Sequence, residues 1–234
     1  IAQYWQKHHQ AEPHWFLTPN LLDKTRPRFD TLGHSIKTYE NIQLNDPTGP
    51  LADDALMAVA NTYFLQGRWD DADYNYTRLR KEYSNSPHQF QAHLLALQCK
   101  LQKYQGADYD GTPLKEAEEL VGQLLKQFPT ELSDEKERIV RISKETKAAL
   151  AQRDWNMAEY YANRKYYGAA KYYYAQIARD YPDTKLAEAA RARAGDFDGR
   201  PEIPSNTFQW VADLFPDRNK TIPLASETGD TIRR

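Results

Sequence analysis

From Gln152 to Ala190 the chain reads as two apolar stripes joined by a short polar segment and closed by Tyr181-Pro182. Trp155, Met157-Ala158 and Tyr161 recur three or four residues apart, the spacing of one helix face. Tyr167, Ala170, Tyr174, Ile177 and Tyr181 step by 3, 4, 3 and 4, which predicts a second helix with one buried stripe. Pro182 ends that helix, since proline lacks the N–H and restricts the residue before it. Neither helix can bury its face alone, so the pair calls for neighbours of the same shape.

Those neighbours are present. Trp69, Ala72, Tyr76, Leu79 and Tyr83 repeat the stepping, with Pro87 shortly after. Leu114, Ala117, Val121, Leu124 and Phe128 do so before Pro129, and Leu32, Ser35, Tyr39, Ile42 and Asp46 before Pro47. The stripes start at 32, 69, 114 and 167, intervals of 37, 45 and 53 residues. That is a repeat of about 34 residues with growing insertions, the period of tetratricopeptide units. The small residue at each second step (Ser35, Ala72, Ala117, Ala170) lets the paired helix approach closely. A bulky residue there would cost about 1–3 kcal/mol in overpacking.

The patterning predicts the earliest recognisable helix over 28–46, a clean pair over 51–65 and 70–83, and the first helix of a further pair over 87–104. Gly67 should terminate the helix before it. Thr112 is expected to cap a helix that opens at Pro113 and stops at Phe128. Residues 131–165 contain no Gly or Pro and carry a sparse seam through Leu132, Ile139, Ile142 and Leu150. They predict one long helix of about 30 residues, with Ser133 as its N-cap. After Pro182, residues 183–194 read as a capping helix.

Two stretches carry a family likeness. Residues 61–72, Asn61-Thr62-Tyr63-Phe64-Leu65-Gln66-Gly67-Arg68-Trp69-Asp70-Asp71-Ala72, resemble the inter-helix half of a tetratricopeptide repeat. The pattern Tyr-x-x-Ala-x-x-x-Tyr-x-x-Ile-x-x-x-Tyr-Pro-x-Thr-x-x-Ala-x-x-Ala over 167–190 is similar to the BamD-like outer-membrane-assembly lipoproteins. Pro47 with Ala52 and Ala55 keeps the offsets of Pro182 with Ala187 and Ala190. The resemblance covers roughly residues 28 to 195. It implies an all-α tetratricopeptide superhelix of about four helix pairs with a capping helix. It also implies a lipid-anchored scaffold at the periplasmic face of the outer membrane. Its implied partners are proteins: the assembly barrel, that barrel's soluble domains, and unfolded outer membrane proteins.

Composition narrows the alternatives. A net charge of −2 offers no broad basic field for nucleic acid. One cysteine excludes an intramolecular disulfide and any multi-cysteine metal site. Cys99 reads as a small buried hydrophobe. No apolar run reaches the roughly 18–20 residues that span a bilayer. A chain beginning at Ile1 rather than methionine reads as trimmed, so the lack of an export signal or lipid-accepting cysteine in it says nothing about an anchor, which is what the resemblance implies.

Domain organisation follows: an irregular arm over 1–27 that docks Trp5, Trp15 and Phe16 on the solenoid end, the solenoid over 28–195, and an irregular extension over 196–234. Within the extension, 205–215 reads as a short helix whose Phe208, Trp210, Val211, Leu214 and Phe215 either dock back or bind a partner.

Candidate chemistry is sparse. His8, His9 and His14 lack the carboxylate or cysteine pattern of a metal site. Asp108, Asp110 and Gly111 suggest a calcium loop but lack its third acid and closing Glu, so turn chemistry accounts for them. Ser133-Asp134-Glu135-Lys136 has the Ser-x-x-Lys spacing of acyl-enzymes without the accompanying elements. No catalytic residue, metal or cofactor is assigned, and an enzyme carrying the solenoid as an accessory is the least favoured class. A generic adaptor in another envelope complex, such as a cell-division or secretion coordinator, is the alternative to outer membrane assembly.

Function then rests on shape, because stacked helix pairs hold partners on the concave side lined by their first helices. Carried over from the repeat, the ligand-facing positions are Asp54, Met57, Asn61, Phe64 and Leu65 in one unit. In the last unit they are Gln152, Trp155, Glu159, Ala162 and Asn163. Asn61 and Asn163 can donate to and accept from a peptide backbone. Met57 and Trp155 would either grip apolar side chains or pack against the adjacent repeat.

Overall fold

The computed structural model describes residues 1–11, 25, 27 and 30–204. Among them no strand occurs, and the helices are α1 (Ala2–Ala11), α2 (Thr31–Asn45), α3 (Ala52–Leu65), α4 (Trp69–Glu82), α5 (Gln89–Lys103), α6 (Thr112–Gln127), α7 (Lys136–Asn163), α8 (Tyr167–Asp180) and α9 (Leu186–Gly195). Each packs on the next in chain order, and α7 also touches α9. This is the tetratricopeptide arrangement: first helices α1, α3, α5 and α7 alternate with second helices α2, α4, α6 and α8, and α9 closes the stack.

The periodic stripes are what this packing buries. Ala72, Tyr76 and Leu79 of α4 are fully buried, as are Ala170 and Ile177 of α8. Each fully buried Leu- or Ile-sized side chain contributes about 1.5–3 kcal/mol. The 0% exposure of Ala60 against that of Ala72 places small residues on both sides of the α3–α4 contact. Three clusters result: a small one at α1–α3, a large one centred on α3–α7, and one around α7–α9.

The helix ends separate repeat-wide rules from local ones. Gly67 sits at φ 70 and closes α3 as expected. Thr112 does not cap α6: it lies inside the helix, and Asp110 Oδ1 accepts from its N–H at 3.0 Å and its hydroxyl at 2.8 Å. Ser133 does not cap α7 either. It belongs to a run of turns, and α7 opens after Glu135 with no side-chain cap.

Both ends of the solenoid reach further than the repeat stripes. Residues 2–11, read as part of an irregular arm, form α1, which packs against α2 as the first helix of a pair. Ser35 donates to Ala2 O, and Gln6 bridges Tyr39 and Thr62. Trp5 donates to Thr25 O, while Trp15 and Phe16 lie outside the described residues, as does 205–215. At the other end Phe197 is buried, stacked 5.4 Å from Tyr167 and 6.0 Å from Tyr174, and Gly168 donates to Glu202 O. The start of the extension therefore packs as part of the α7–α9 unit.

Candidate functional site: the first-helix face

The two repeats built on α3–α4 and α7–α8 superpose in sequence at a constant offset, and their turn bonds match. Arg68 N donates to Tyr63 O as Tyr166 N does to Tyr161 O, and Gly67 N to Phe64 O as Lys165 N does to Ala162 O. The candidate positions can therefore be compared pairwise.

Asp54 and Gln152 are exposed at the start of this face. Asp54 Oδ1 lies 2.6 Å from His88 Nε2, 34 residues later, so one carboxylate links the openings of two successive first helices. His88 was not singled out by its residue type, but its spacing of one repeat period is the signal that would find it.

Met57 and Trp155 occupy the next position and part company. Met57 is 4% exposed inside the α3–α7 cluster, which removes it from any partner's reach: its thioether packs the inter-repeat core. Trp155 is half-buried, its ring edge-on to Tyr174 at 5.0 Å, with the remainder open.

Asn61 and Glu159 are turned toward their own repeats. Tyr76 donates to Asn61 Oδ1 and Tyr174 to Glu159 Oε1, each at 2.7 Å. Burial first raises the pKa of both phenols, and the Glu159 carboxylate adds to that of Tyr174. Arg193 of α9 also approaches Glu159, at 3.8 Å. Phe64 is half-buried against Trp69 at 5.2 Å, while Leu65 is 68% exposed and Asn163 is exposed at the matching position. Ala162, the counterpart of Phe64, is half-buried.

The face thus presents Asp54, Leu65, Gln152 and Asn163 with the free sides of Phe64 and Trp155. It has hydrogen-bonding groups and apolar surface, which suits polypeptide contact. Elsewhere, Cys99 is fully buried, and burial pushes its thiol up to about 12, ahead of the nearby Asp73 carboxylate. Among the described residues no cluster of His, Cys, Asp or Glu could hold a metal ion, and Asp108 accepts from Asn156 at 3.2 Å. No helix among them is long and apolar enough to cross a membrane.

The outer membrane lipoprotein family YfiO matches residues 28–194, the span from before α2 nearly to the end of α9. The chain belongs to that family. YfiO membership associates it with the cell envelope and accords with the BamD-like pattern over 167–190. No curated protein matches the chain closely enough to count as a relative.

Proposed function

We propose that this YfiO-family chain is a non-catalytic scaffold in outer membrane protein assembly. It acts at the periplasmic face of the outer membrane and holds polypeptides on its first-helix face. The observation that carries this reading is family membership over residues 28–194, from before α2 nearly to the end of α9, together with the open positions on that face. Leu65 at 68% exposure and the free side of Trp155 supply apolar surface. Asp54, Gln152 and Asn163 supply donors and acceptors for an extended backbone. Met57 is excluded from contact and supports the face from beneath. Asn61 and Glu159 act through the orientation of their helices. The partners are the assembly barrel or its soluble domains, with unfolded barrel substrates as clients.

The test is crosslinking pull-down from native envelopes, comparing the natural chain with a Leu65→Ser/Asn163→Ala variant. Both positions are exposed, so the variant keeps its fold. Recovery of a barrel and its soluble domains, lost in the variant, supports the reading. Recovery of a different complex moves the chain to the adaptor class. An unchanged recovery removes the first-helix face from the proposal.

A further inference from the structure

α7 has 28 residues and α8 has 14, so the first helix is about 42 Å long and its partner about 21 Å. α8 runs back along the C-terminal half of α7, where Trp155 meets Tyr174. The N-terminal half is packed on one side only. Ile139 and Ile142 enter the α3–α7 core there, and Ser143 bonds Glu118 of α6. On its other side, where a second helix would continue beyond the end of α8, lies a groove of about 1200 Å³ bounded by the α8–α9 turn.

The groove has an apolar floor and a cationic rim. Leu125, Val140, Ala148 and Leu186 contribute the floor. Val140, Lys144, Ala148 and Gln152 follow one another at i+4 along α7, forming a ridge. Ala148 in the middle of that ridge lets another helix approach closely. Around it stand Lys144, Lys147, Arg179 and Lys185, against the carboxylates Asp180 and Asp183. Lys147 is paired with Glu118 at 3.2 Å and Arg179 with Asp180 at 2.7 Å. Lys144 and Lys185 have no ion-pair partner among the described residues, and Arg141 precedes Lys144 on the same helix by about one turn.

We propose that this groove receives an acidic amphipathic helix of a partner protein, laid along α7 in the place a longer second helix would occupy. The groove lies where α8, at 14 residues, stops short of the 28-residue α7, so a helix is the element whose place it takes. Its apolar floor calls for apolar side chains at helical spacing, and its rim for carboxylates. A flat anionic membrane would meet the rim lysines but leave the recessed floor unfilled. This groove meets the first-helix positions of the functional proposal only at Gln152, and its test rests on Lys144, Ala148 and Lys185, which that proposal does not use.

The probe is a fluorescein-labelled stapled helix with leucines on one face and glutamates on the other, compared with a twin carrying lysines. Titrated against the full chain and followed by anisotropy, the glutamate helix is expected to bind about ten-fold tighter. Lys144→Glu/Lys185→Glu should erase that preference, and Ala148→Trp should weaken binding of the glutamate helix. Because Lys144 and Lys185 are exposed and unpaired, the double variant should keep its thermal midpoint. Leu65→Ser/Asn163→Ala should bind the glutamate helix like the natural chain.

Equal binding of the two helices, or indifference to the charge reversal, overturns the proposal. So does binding that appears only after removal of 205–234, which would make the chain's own extension the occupant. Charge-reversal-sensitive binding of phosphatidylglycerol vesicles without binding of the glutamate helix would assign the rim to a membrane and also overturn it.

Discussion

Tyr76 donates its phenolic hydrogen to Asn61 Oδ1 at 2.7 Å, tying the second helix of a repeat to the inward-turned polar position of the first. The bond between Tyr174 and Glu159 has the same length and the same spacing of 15 residues. One repeat uses a neutral amide as acceptor and the other a carboxylate, so the hydroxyl rather than the acceptor type is the common requirement.

Removing the hydroxyl should therefore cost similar amounts in both repeats. Tyr76→Phe keeps the ring packing and loses a bond worth about 1 kcal/mol. Tyr174→Phe loses a bond to a charged acceptor, but Glu159 is 37% exposed and solvent offsets part of the loss, leaving about 1 kcal/mol again. The residues lie in different core clusters, so the double variant should lose about 2 kcal/mol in urea unfolding. A double-variant loss no larger than either single one would show that the two repeats are not independent.

These bonds mark the limit of what the periodic pattern reveals. The 3, 4, 3, 4 stripes located α2, α4, α6 and α8 because burial of one helix face imposes that period on the residue types. Gly67 was legible for a different reason, since left-handed backbone favours glycine, although Lys165 fills the equivalent position in the later repeat. Ser133 and Thr112 failed as caps because capping depends on backbone geometry within a few residues, and Asp110 meets that need for Thr112. α1 was missed because Ala2 is its only buried residue, so its stripe is nearly silent in sequence. On the first-helix face, position alone could not separate Met57 from Trp155. The repeat rule places both in the same row, and only the neighbouring helix decides which is covered.

The buried ion pair between α4 and α5 should be far more sensitive than the tyrosine bonds. Lys100 Nζ lies 2.9 Å from Asp73 Oδ2 and 2.6 Å from Glu116, with the Lys100 and Asp73 side chains 9% and 10% exposed. Lys100→Met leaves Asp73 with Lys103 at 3.5 Å, and Asp73 Oδ1 already lacks a partner. The expected loss is about 3 kcal/mol, the low end for breaking a buried pair because Lys103 remains. Lys100→Met/Asp73→Leu removes both charges and should recover most of it. Guanidinium unfolding of the three chains checks this, and a double variant as weak as Lys100→Met would mean that the pair itself, not the stranded charge, sets the stability.

Alkaline pH should loosen the fold within a definable window. Burial, followed by the Asp154 and Asp180 carboxylates, pushes Tyr181 from 10.0 to about 12. Burial, followed by Asp73, pushes Cys99 from 9.0 to about 12. Both groups lose their protons more easily in the unfolded chain, so the native state holds more protons once pH passes the unfolded values. Their contribution is complete below about pH 9, declines from there, and is lost as pH rises through about 12. The urea midpoint should therefore fall between pH 9 and 11.5. Tyr181→Phe should flatten part of that fall above pH 10, and a midpoint level across the range would contradict the burial argument.

The two inter-helix turns predict opposite effects of opposite substitutions. Gly67 at φ 70 and Lys165 at φ 64 fill the same left-handed position, two residues before Trp69 and Tyr167 respectively. Left-handed backbone costs a side-chain-bearing residue about 1–2 kcal/mol. Glycine avoids that cost but surrenders about 0.5–1 kcal/mol in chain entropy. Lys165→Gly should therefore stabilise the chain by about 0.5–1 kcal/mol, a rise in thermal midpoint of a few degrees. Gly67→Ala should destabilise it by about 1 kcal/mol on the same reasoning. A Cβ at Gly67 would meet Trp69 only at 3.8 Å, an ordinary contact, so the loss would be conformational rather than steric. Calorimetry of both variants decides the matter: a gain at 165 paired with a loss at 67 fits one shared turn geometry, whereas losses at both would mean that Lys165 makes contacts worth more than its backbone strain.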